Sequence, residues 1–183
     1  SIIMEKTYKI LNMNYKNLND NYQRDKEKLR IEFLKYDIIS FQEVYDINIL
    51  KELVNGYNYS YNKGLLLMTK HKLNPKIKVH TNRTCSFMIF PTIHENIMIT
   101  SFNNFYSDEK IKKEELEDLL EKSNSYTNEY PSILLGDFHG ANKGLEEWNK
   151  CKDFDIYTRG INVTTCWREV EENTEKTITH FRI

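Results

Sequence analysis

Cysteine is scarce in this chain, and no stretch is dominated by proline, by one sign of charge or by apolar residues. The three cysteines, Cys85, Cys151 and Cys166, are far apart and odd in number, which excludes a disulfide framework and favours a reducing compartment. The longest apolar runs, such as Leu65–Met68, are far shorter than a membrane span, and the N-terminus lacks the apolar core of a signal peptide. We therefore expect an intracellular protein, in the cytoplasm or the nucleus, that does not bind membranes.

Charge of one sign is also missing, because 26 Lys and Arg residues balance 27 Asp and Glu residues and leave a formal net charge of −1. That balance excludes a generally basic protein that coats nucleic acid, although it allows a local basic patch. Hydrophobic residues make up 39% of the chain and aromatic residues 13%, which excludes wholesale disorder. With 183 residues and no repeat or proline-rich linker, residues 1–183 are expected to form a single domain.

Apolar residues at helical spacing predict three main helices. The first covers Tyr22–Lys35 and is expected to be capped by Asp20 or Asn21. The second covers Ile47–Val54, and a third, strongly charged helix covers residues 108–122.

Short apolar runs bounded by turn residues predict nine strands, with a hairpin turn at residues 62–64. Clusters of strands with a few helices between them favour two packed sheets flanked by helices. The predicted strands are Tyr8–Met13, Asp37–Phe41, Tyr57–Tyr61, Leu65–Thr69, Ile77–His80, Cys85–Phe90, Ile97–Phe102, Ser132–Leu135 and Thr177–Ile183.

Polar side chains follow three of the predicted buried strands at the point where each strand ends. Asn14 follows the first, Gln42 and Glu43 the second, and Asp137 and His139 the third. Carboxylate and amide oxygens suit Mg²⁺, which takes few protein carboxylates together with water and substrate phosphate. Each group taken alone also fits a simple strand cap. The recurrence at three strands favours one shared cation site.

These segments resemble, in the same order along the chain, those of the endonuclease/exonuclease/phosphatase superfamily. The matching segments begin with an Asn motif, a Gln-Glu motif and a glycine-led strand, and they end with Gly-Asp-Phe, Thr-x-Trp and Arg-Ile motifs. They are Leu11–Leu18, Phe41–Val44, Gly64–Lys70, Gly136–His139, Thr164–Trp167 and Phe181–Ile183. The resemblance implies an α+β fold of two packed, mainly antiparallel sheets flanked by helices, which is the four-layer α/β/β/α sandwich of deoxyribonuclease I.

The resemblance also implies a role for each candidate residue. Glu43 and Asn14 take the metal-side positions, with Mg²⁺ or Mn²⁺ as the cofactor. Asp137 takes the position that orients or deprotonates the attacking water. Arg83 lies in a stretch that resembles a phosphate-contacting segment of the deoxyribonuclease branch.

Two positions depart from the family pattern. Asn103 stands where many members carry a catalytic histidine, and His139 replaces the last asparagine of the Gly-Asp-Phe-Asn motif. Both are expected to contact substrate phosphate and to serve as catalytic residues alongside Asp137. The family pattern also continues past Arg-Ile into an aspartate strand and a Ser-Asp-His motif, so we expect this domain to be C-terminally incomplete or reduced.

Two functions are compatible with these features. The first is a Mg²⁺-dependent phosphodiester hydrolase, a nuclease that cleaves DNA or RNA through metal-assisted attack by water. The second is a catalytically degenerate relative that keeps the fold as a binding or interaction module with a protein partner. The pair Glu43 and Asp137 favours the enzyme, whereas Asn103 favours the module because an amide does not transfer protons at neutral pH.

Overall fold

The computed structural model describes residues 6–14, 19–73, 81–82, 85–103, 110–111, 114, 130–137, 156–159, 166–170 and 176–182. Within these ranges, eleven strands and two helices are assigned. The helices are α1 (Asn19–Phe33) and α2 (Ile47–Leu53). The strands are β1 (Thr7–Asn14), β2 (Ile38–Gln42), β3 (Asn58–Asn62), β4 (Leu65–Thr69), β5 (Thr81–Asn82), β6 (Cys85–Pro91), β7 (Asn96–Asn103), β8 (Ser132–Asp137), β9 (Ile156–Arg159), β10 (Cys166–Val170) and β11 (Lys176–Arg182).

The strands form two sheets. The larger has the order β10-β11-β1-β2-β4-β3, and the smaller has the order β5-β6-β7-β8-β9. β1 runs parallel to β2, and β7 runs parallel to β8, while the other pairs are antiparallel. In each sheet the carboxyl ends of two central strands therefore meet at the same edge, where side chains from sequence-distant segments come together.

Apolar side chains from the inner faces of the two sheets pack against each other. Alternate residues of each strand point to this layer, as the two-residue period of a β-strand requires. The buried cluster between the sheets contains Tyr8, Ile10, Ile38, Leu67, Met88, Phe90, Ile97, Ile99, Ile133, Leu135 and Phe181. This layer holds the two sheets together.

The outer faces of both sheets are buried as well. α1 and α2 cover the larger sheet, with Phe33 and Leu50 packed among strand residues such as Phe41. On the outer face of the smaller sheet, Phe102 and Leu134 are fully buried. The predicted sandwich of two sheets flanked by helices is confirmed.

Helix α1 begins earlier than its apolar pattern predicts. It starts at Asn19, so the predicted caps Asp20 and Asn21 lie inside it, and that prediction was wrong. The reason is a kink at Asp25 (φ −118°, ψ 26°), which joins a short polar helical segment to the amphipathic one. The part of the helix after the kink has apolar residues at helical spacing, which predict a helix. The polar segment before the kink has no such pattern, so the sequence did not predict the true start.

The hairpin predicted at residues 62–64 is confirmed. β3 and β4 pair antiparallel, with Asn62 opposite Leu65. Lys63 (φ 45°) and Gly64 (φ 88°) both adopt positive φ. Two central residues with positive φ form the turn whose twist matches that of the flanking strands.

Three strands, β5, β9 and β10, were not predicted, because they are short and carry little alternation of apolar and polar residues. The predicted strand Ile77–His80 lies outside the described residues. So does most of the predicted helix over residues 108–122, of which Lys110, Ile111 and Glu114 are described and helical. None of the helices described is long and apolar enough to span a membrane.

The start of α2 depends on one cap. The side chain of Asp46 accepts hydrogen bonds from the backbone N–H groups of Asn48 (2.9 Å) and Ile49 (3.3 Å). Asp46→Ala is expected to lower the free energy of unfolding by about 1 kcal/mol, since both N–H groups lose this acceptor. Urea unfolding checks this, with Asp46→Asn as the control because asparagine caps equally well. An equal loss in both variants would contradict the capping role.

Candidate active site

The inner face of the larger sheet changes from apolar to polar towards the carboxyl ends of β1 and β2. On β1, Ile10 is followed on this face by Asn12 and Asn14. On β2 the same change occurs at Ser40 and Gln42. All four polar residues are buried, with at most 6% of their surface exposed. Burial of polar groups is unfavourable unless they are hydrogen-bonded, so this end of the layer needs a bonded network.

That network joins the two sheets. Gln42 Nε2 donates to Asn12 Oδ1 at 2.9 Å, and Asn12 Nδ2 donates to the carbonyl oxygen of Gly136 at 2.9 Å. The hydroxyls of Ser40 and Ser101 are 2.9 Å apart. The ends of β1 and β2 are thereby linked to the ends of β7 and β8.

Gly136 permits a close approach of β8 to β7. A Cβ atom at this position would lie 2.0 Å from the carbonyl oxygen of Phe102, which is a severe overlap with backbone. The two strands stay in register to their ends, where Asn103 pairs with Asp137. The glycine of the Gly-Asp pair therefore sets the position of the aspartate that follows it.

Glu43 directly follows β2 in a strained backbone conformation. Its φ is 60°, a left-handed value that is uncommon for a residue with a side chain and unfavourable by about 1–2 kcal/mol. The next residue is held firmly, because Val44 N–H donates to Gly64 O at 3.0 Å. Asn14 Nδ2 donates to Glu43 Oε2 and orients the carboxylate. Strain of this kind often marks a functional position.

Asn103, at the end of β7, has an unusual environment. Its side chain is 1% exposed, yet neither amide atom has a hydrogen-bond partner among the described residues. It shares a strand face with Ser101, whose hydroxyl reaches across to the other sheet. A buried, unbonded amide costs about 1–3 kcal/mol, so a ligand that supplies the missing bonds would bind here favourably.

Three of the predicted site residues lie in one part of the structure. Asn14, Glu43 and Asn103 are all at the polar end of the layer between the sheets. Position 137 is next to Gly136, whose carbonyl contacts Asn12, and Asn12 precedes Asn14 by two residues or about 7 Å. The backbone at 137 is thus in the same region as Glu43.

Arg83 and His139 lie outside the described residues, and for Asp137 only the backbone is described. The predicted roles of these three side chains stay predictions. Sequence reasoning did not identify Asn12 and Gln42 as the buried amides that join the sheets. Their signal was a polar residue in every second place of an otherwise apolar strand.

The donor set fits a hard divalent cation. Glu43 supplies a carboxylate, and its hydrogen bond from Asn14 is the type of outer contact that fixes a metal ligand. Mg²⁺ is commonly bound by one or two carboxylates with substrate phosphate and water. Within the described side chains, no group of three His, Cys, Asp or Glu residues that could hold a metal is found. Among the described side chains, Glu43 is the carboxylate that could bind a cation here, with Asn14 as its outer contact.

Comparison with known proteins gives a consistent result for the fold. No protein-family model matches the sequence, and no curated protein matches it. Solved structures match over nearly the whole chain. An endonuclease/exonuclease/phosphatase family protein from Bacteroides thetaiotaomicron is 14% identical over 98% of both chains, with a TM-score of 0.62. The chain has the endonuclease/exonuclease/phosphatase fold.

Two further solved structures share this fold. TDP2 from D. rerio, complexed with a single-strand DNA product, is 11% identical over 97% of this chain and 98% of the other, with a TM-score of 0.63. A mannosyl-6-phosphatase from Bacteroides thetaiotaomicron is 13% identical over 96% of this chain and 99% of the other, with a TM-score of 0.61. The resemblance noted in the sequence is thus confirmed for the fold, which serves several phosphoester substrates.

Proposed function

We propose that this protein is a Mg²⁺- or Mn²⁺-dependent phosphodiester hydrolase that acts on nucleic acid. The observation that carries the proposal is the strained, oriented Glu43 at the polar end of the layer between the sheets. The Asn12–Gly136 hydrogen bond brings the backbone before Asp137 into the same region. The DNA-bound structure of TDP2 supports nucleic acid as the substrate class.

Each residue has a distinct task in this proposal. Glu43, oriented by Asn14, holds the cation, and Asp137 orients or deprotonates the attacking water. A Mg²⁺ ion held by Glu43 would supply positive charge to offset the negative charge on the scissile phosphate and the leaving oxygen. Asn103 donates an N–H to a non-bridging phosphate oxygen as negative charge grows there. Arg83 and His139 are assigned to the same phosphate from the sequence alone.

A binding module without catalysis is the second candidate. Asn103 favours it, because an amide stabilises phosphate but does not carry protons at neutral pH. Such a module would bind its partner through the same polar edge and would hydrolyse no phosphoester. Both candidates predict a folded protein, so only metal binding and turnover separate them.

Metal binding is the first measurement. We expect saturating Mg²⁺ to raise the melting temperature, since a ligand present at 100 times its Kd stabilises the native state by about 2.7 kcal/mol. For a domain of this size that corresponds to roughly 5–10 °C. The Glu43→Gln variant should show no increase in melting temperature with Mg²⁺. In EDTA it should melt at the same temperature as the unmodified protein. An unchanged shift in Glu43→Gln would place the cation elsewhere.

Turnover is the second measurement. Purified protein is expected to cleave single-stranded or supercoiled DNA or RNA with Mg²⁺ or Mn²⁺ and to stop when EDTA is added. Glu43→Gln and Asp137→Asn, purified identically, should both be slower than the unmodified protein. Equal rates in all three would identify a contaminating nuclease. No cleavage with either metal would leave the binding module as the function.

A further inference from the structure

Tyr45 is an exposed aromatic side chain beside the candidate active site. It lies two residues after Glu43, and 56% of its surface is exposed. Two residues of extended chain span about 7 Å at most, so the backbone of Tyr45 is within about 7 Å of the backbone of Glu43. One nucleotide could therefore contact both side chains. Exposed tyrosines are common on protein surfaces, so exposure alone has no functional meaning.

The position of Tyr45 is fixed by Val44, which precedes it in the chain, and by Gly64, which contacts its ring. Val44 is 1% exposed, and its N–H donates to Gly64 O at 3.0 Å while its carbonyl accepts from Tyr61 Oη at 2.7 Å. The Tyr45 ring packs against Gly64, where an added Cβ would lie 2.6 Å from Tyr45 Cε1. The backbone of Tyr45 is thus anchored and one side of its ring is supported, while the side chain stays open to solvent.

We propose that Tyr45 is a positioning residue that stacks on an unpaired base next to the scissile phosphate, which makes single-stranded nucleic acid the substrate class. This inference rests on the proposed function, because it assumes that phosphate lies at Glu43. An aromatic side chain stacks on any base through its π-face, and that face is available only in a base that is not stacked in a duplex. A near-neutral chain gains affinity in this way without a large basic surface.

Tyr59 provides a matched control. It is also an exposed tyrosine, with 48% of its surface accessible, on the edge strand β3. It pairs with Met68, which in turn pairs with Ile39. Tyr59 therefore lies at the same position along the strand direction as Ile39, which precedes Glu43 by four residues. Four strand residues span about 13 Å.

The test compares Tyr45→Ala, Tyr45→Phe and Tyr59→Ala on two oligonucleotides of equal length. One strand carries bases, and in the other every base is replaced by hydrogen. Stacking contributes about 1–3 kcal/mol per base, so Tyr45→Ala should raise KM for the base-carrying strand about 5- to 150-fold. Its kcat should change little. Tyr45→Phe and Tyr59→Ala should stay within about twofold of the unmodified protein, by the same reasoning.

The abasic strand separates stacking from a structural effect. Tyr45→Ala and the unmodified protein should have the same KM for it, because there is no base to stack. An equal rise of KM on both strands, or no rise on the base-carrying strand, would overturn the proposal.

Failure of the proposed function can be recognised separately. The Kd of the labelled, base-carrying strand is measured by fluorescence anisotropy in an Asp137→Asn background, with and without Tyr45→Ala. If no strand is cleaved but Tyr45→Ala still weakens binding at least fivefold, the stacking role of Tyr45 is supported and the proposed hydrolysis is wrong. If strands are cleaved and Tyr45→Ala leaves Kd unchanged, the proposed hydrolysis is supported and the stacking role of Tyr45 is wrong.

Discussion

Asn103→Leu is expected to make the protein more stable and much less active. The Asn103 side chain is 1% exposed and has no hydrogen-bond partner among the described residues. Leucine has nearly the same shape and no polar atoms, so it removes the penalty of a buried, unbonded amide. The free energy of unfolding should rise by about 1–3 kcal/mol in urea titrations.

The activity of the same variant should change in the opposite direction. Removal of one donor to the developing negative charge typically lowers kcat by about 10²–10³. We therefore expect a loss of that size in phosphodiester hydrolysis by Asn103→Leu. Opposite effects on stability and rate are typical of an active-site residue kept in spite of its cost to the fold.

Thr100→Val is the matched control for this variant. Thr100 Oγ1 is also buried without a partner in the described part of the chain, but Thr100 points to the other face of β7. Thr100→Val should stabilise the protein and leave kcat unchanged. If Asn103→Leu keeps the full rate, or if it unfolds more easily than the unmodified protein, the assignment of Asn103 is wrong.

Gly136→Ala should have the largest effect on the fold. A methyl group at this position would overlap the carbonyl oxygen of Phe102 at 2.0 Å, and both atoms belong to paired strands that cannot move independently. The paired ends of β7 and β8 would have to separate. We expect a loss of about 3 kcal/mol or more in the free energy of unfolding, the upper range for an overpacked position. Urea or thermal unfolding measures it.

Gly56→Ala distinguishes this overlap from the ordinary effect of replacing a glycine. Gly56 has a φ of 83°, and a methyl group added there would meet no atom within 4 Å, so only the left-handed backbone opposes alanine. Its loss should be about 1 kcal/mol. Similar losses at positions 56 and 136 would show that the close approach to Phe102 relaxes easily.

Much of the fold followed from local patterns. The bounds of β4, Leu65–Thr69, were predicted to the residue, since the apolar run Leu65–Met68 lies next to a turn signal. The start of α2 at Ile47 was predicted as well, because apolar residues at helical spacing begin there. The short strand β9 and the polar first segment of α1 have no such signal, because tertiary contacts and not local periodicity determine them.

The candidate site could be predicted only in part. Glu43 and Asp137 stood out as acidic residues after buried strands, and the resemblance assigned them a shared role. The sequence could not show that Glu43 has a positive φ or that Asn103 lacks a partner among the described residues, because both depend on how the sheets meet. The Asn12–Gly136 bond joins residues 124 positions apart, a separation that local patterns do not span.

The Asn12–Gly136 hydrogen bond has a consequence for when the candidate active site forms during folding. Glu43 and Asn14 come from the early part of the chain and one sheet, and Asn103 comes from a later part and the other sheet. A folding intermediate with both sheets formed but still separate would keep the two parts of the candidate site apart. The proposed hydrolysis would then begin only when the sheets associate, in the last step of folding.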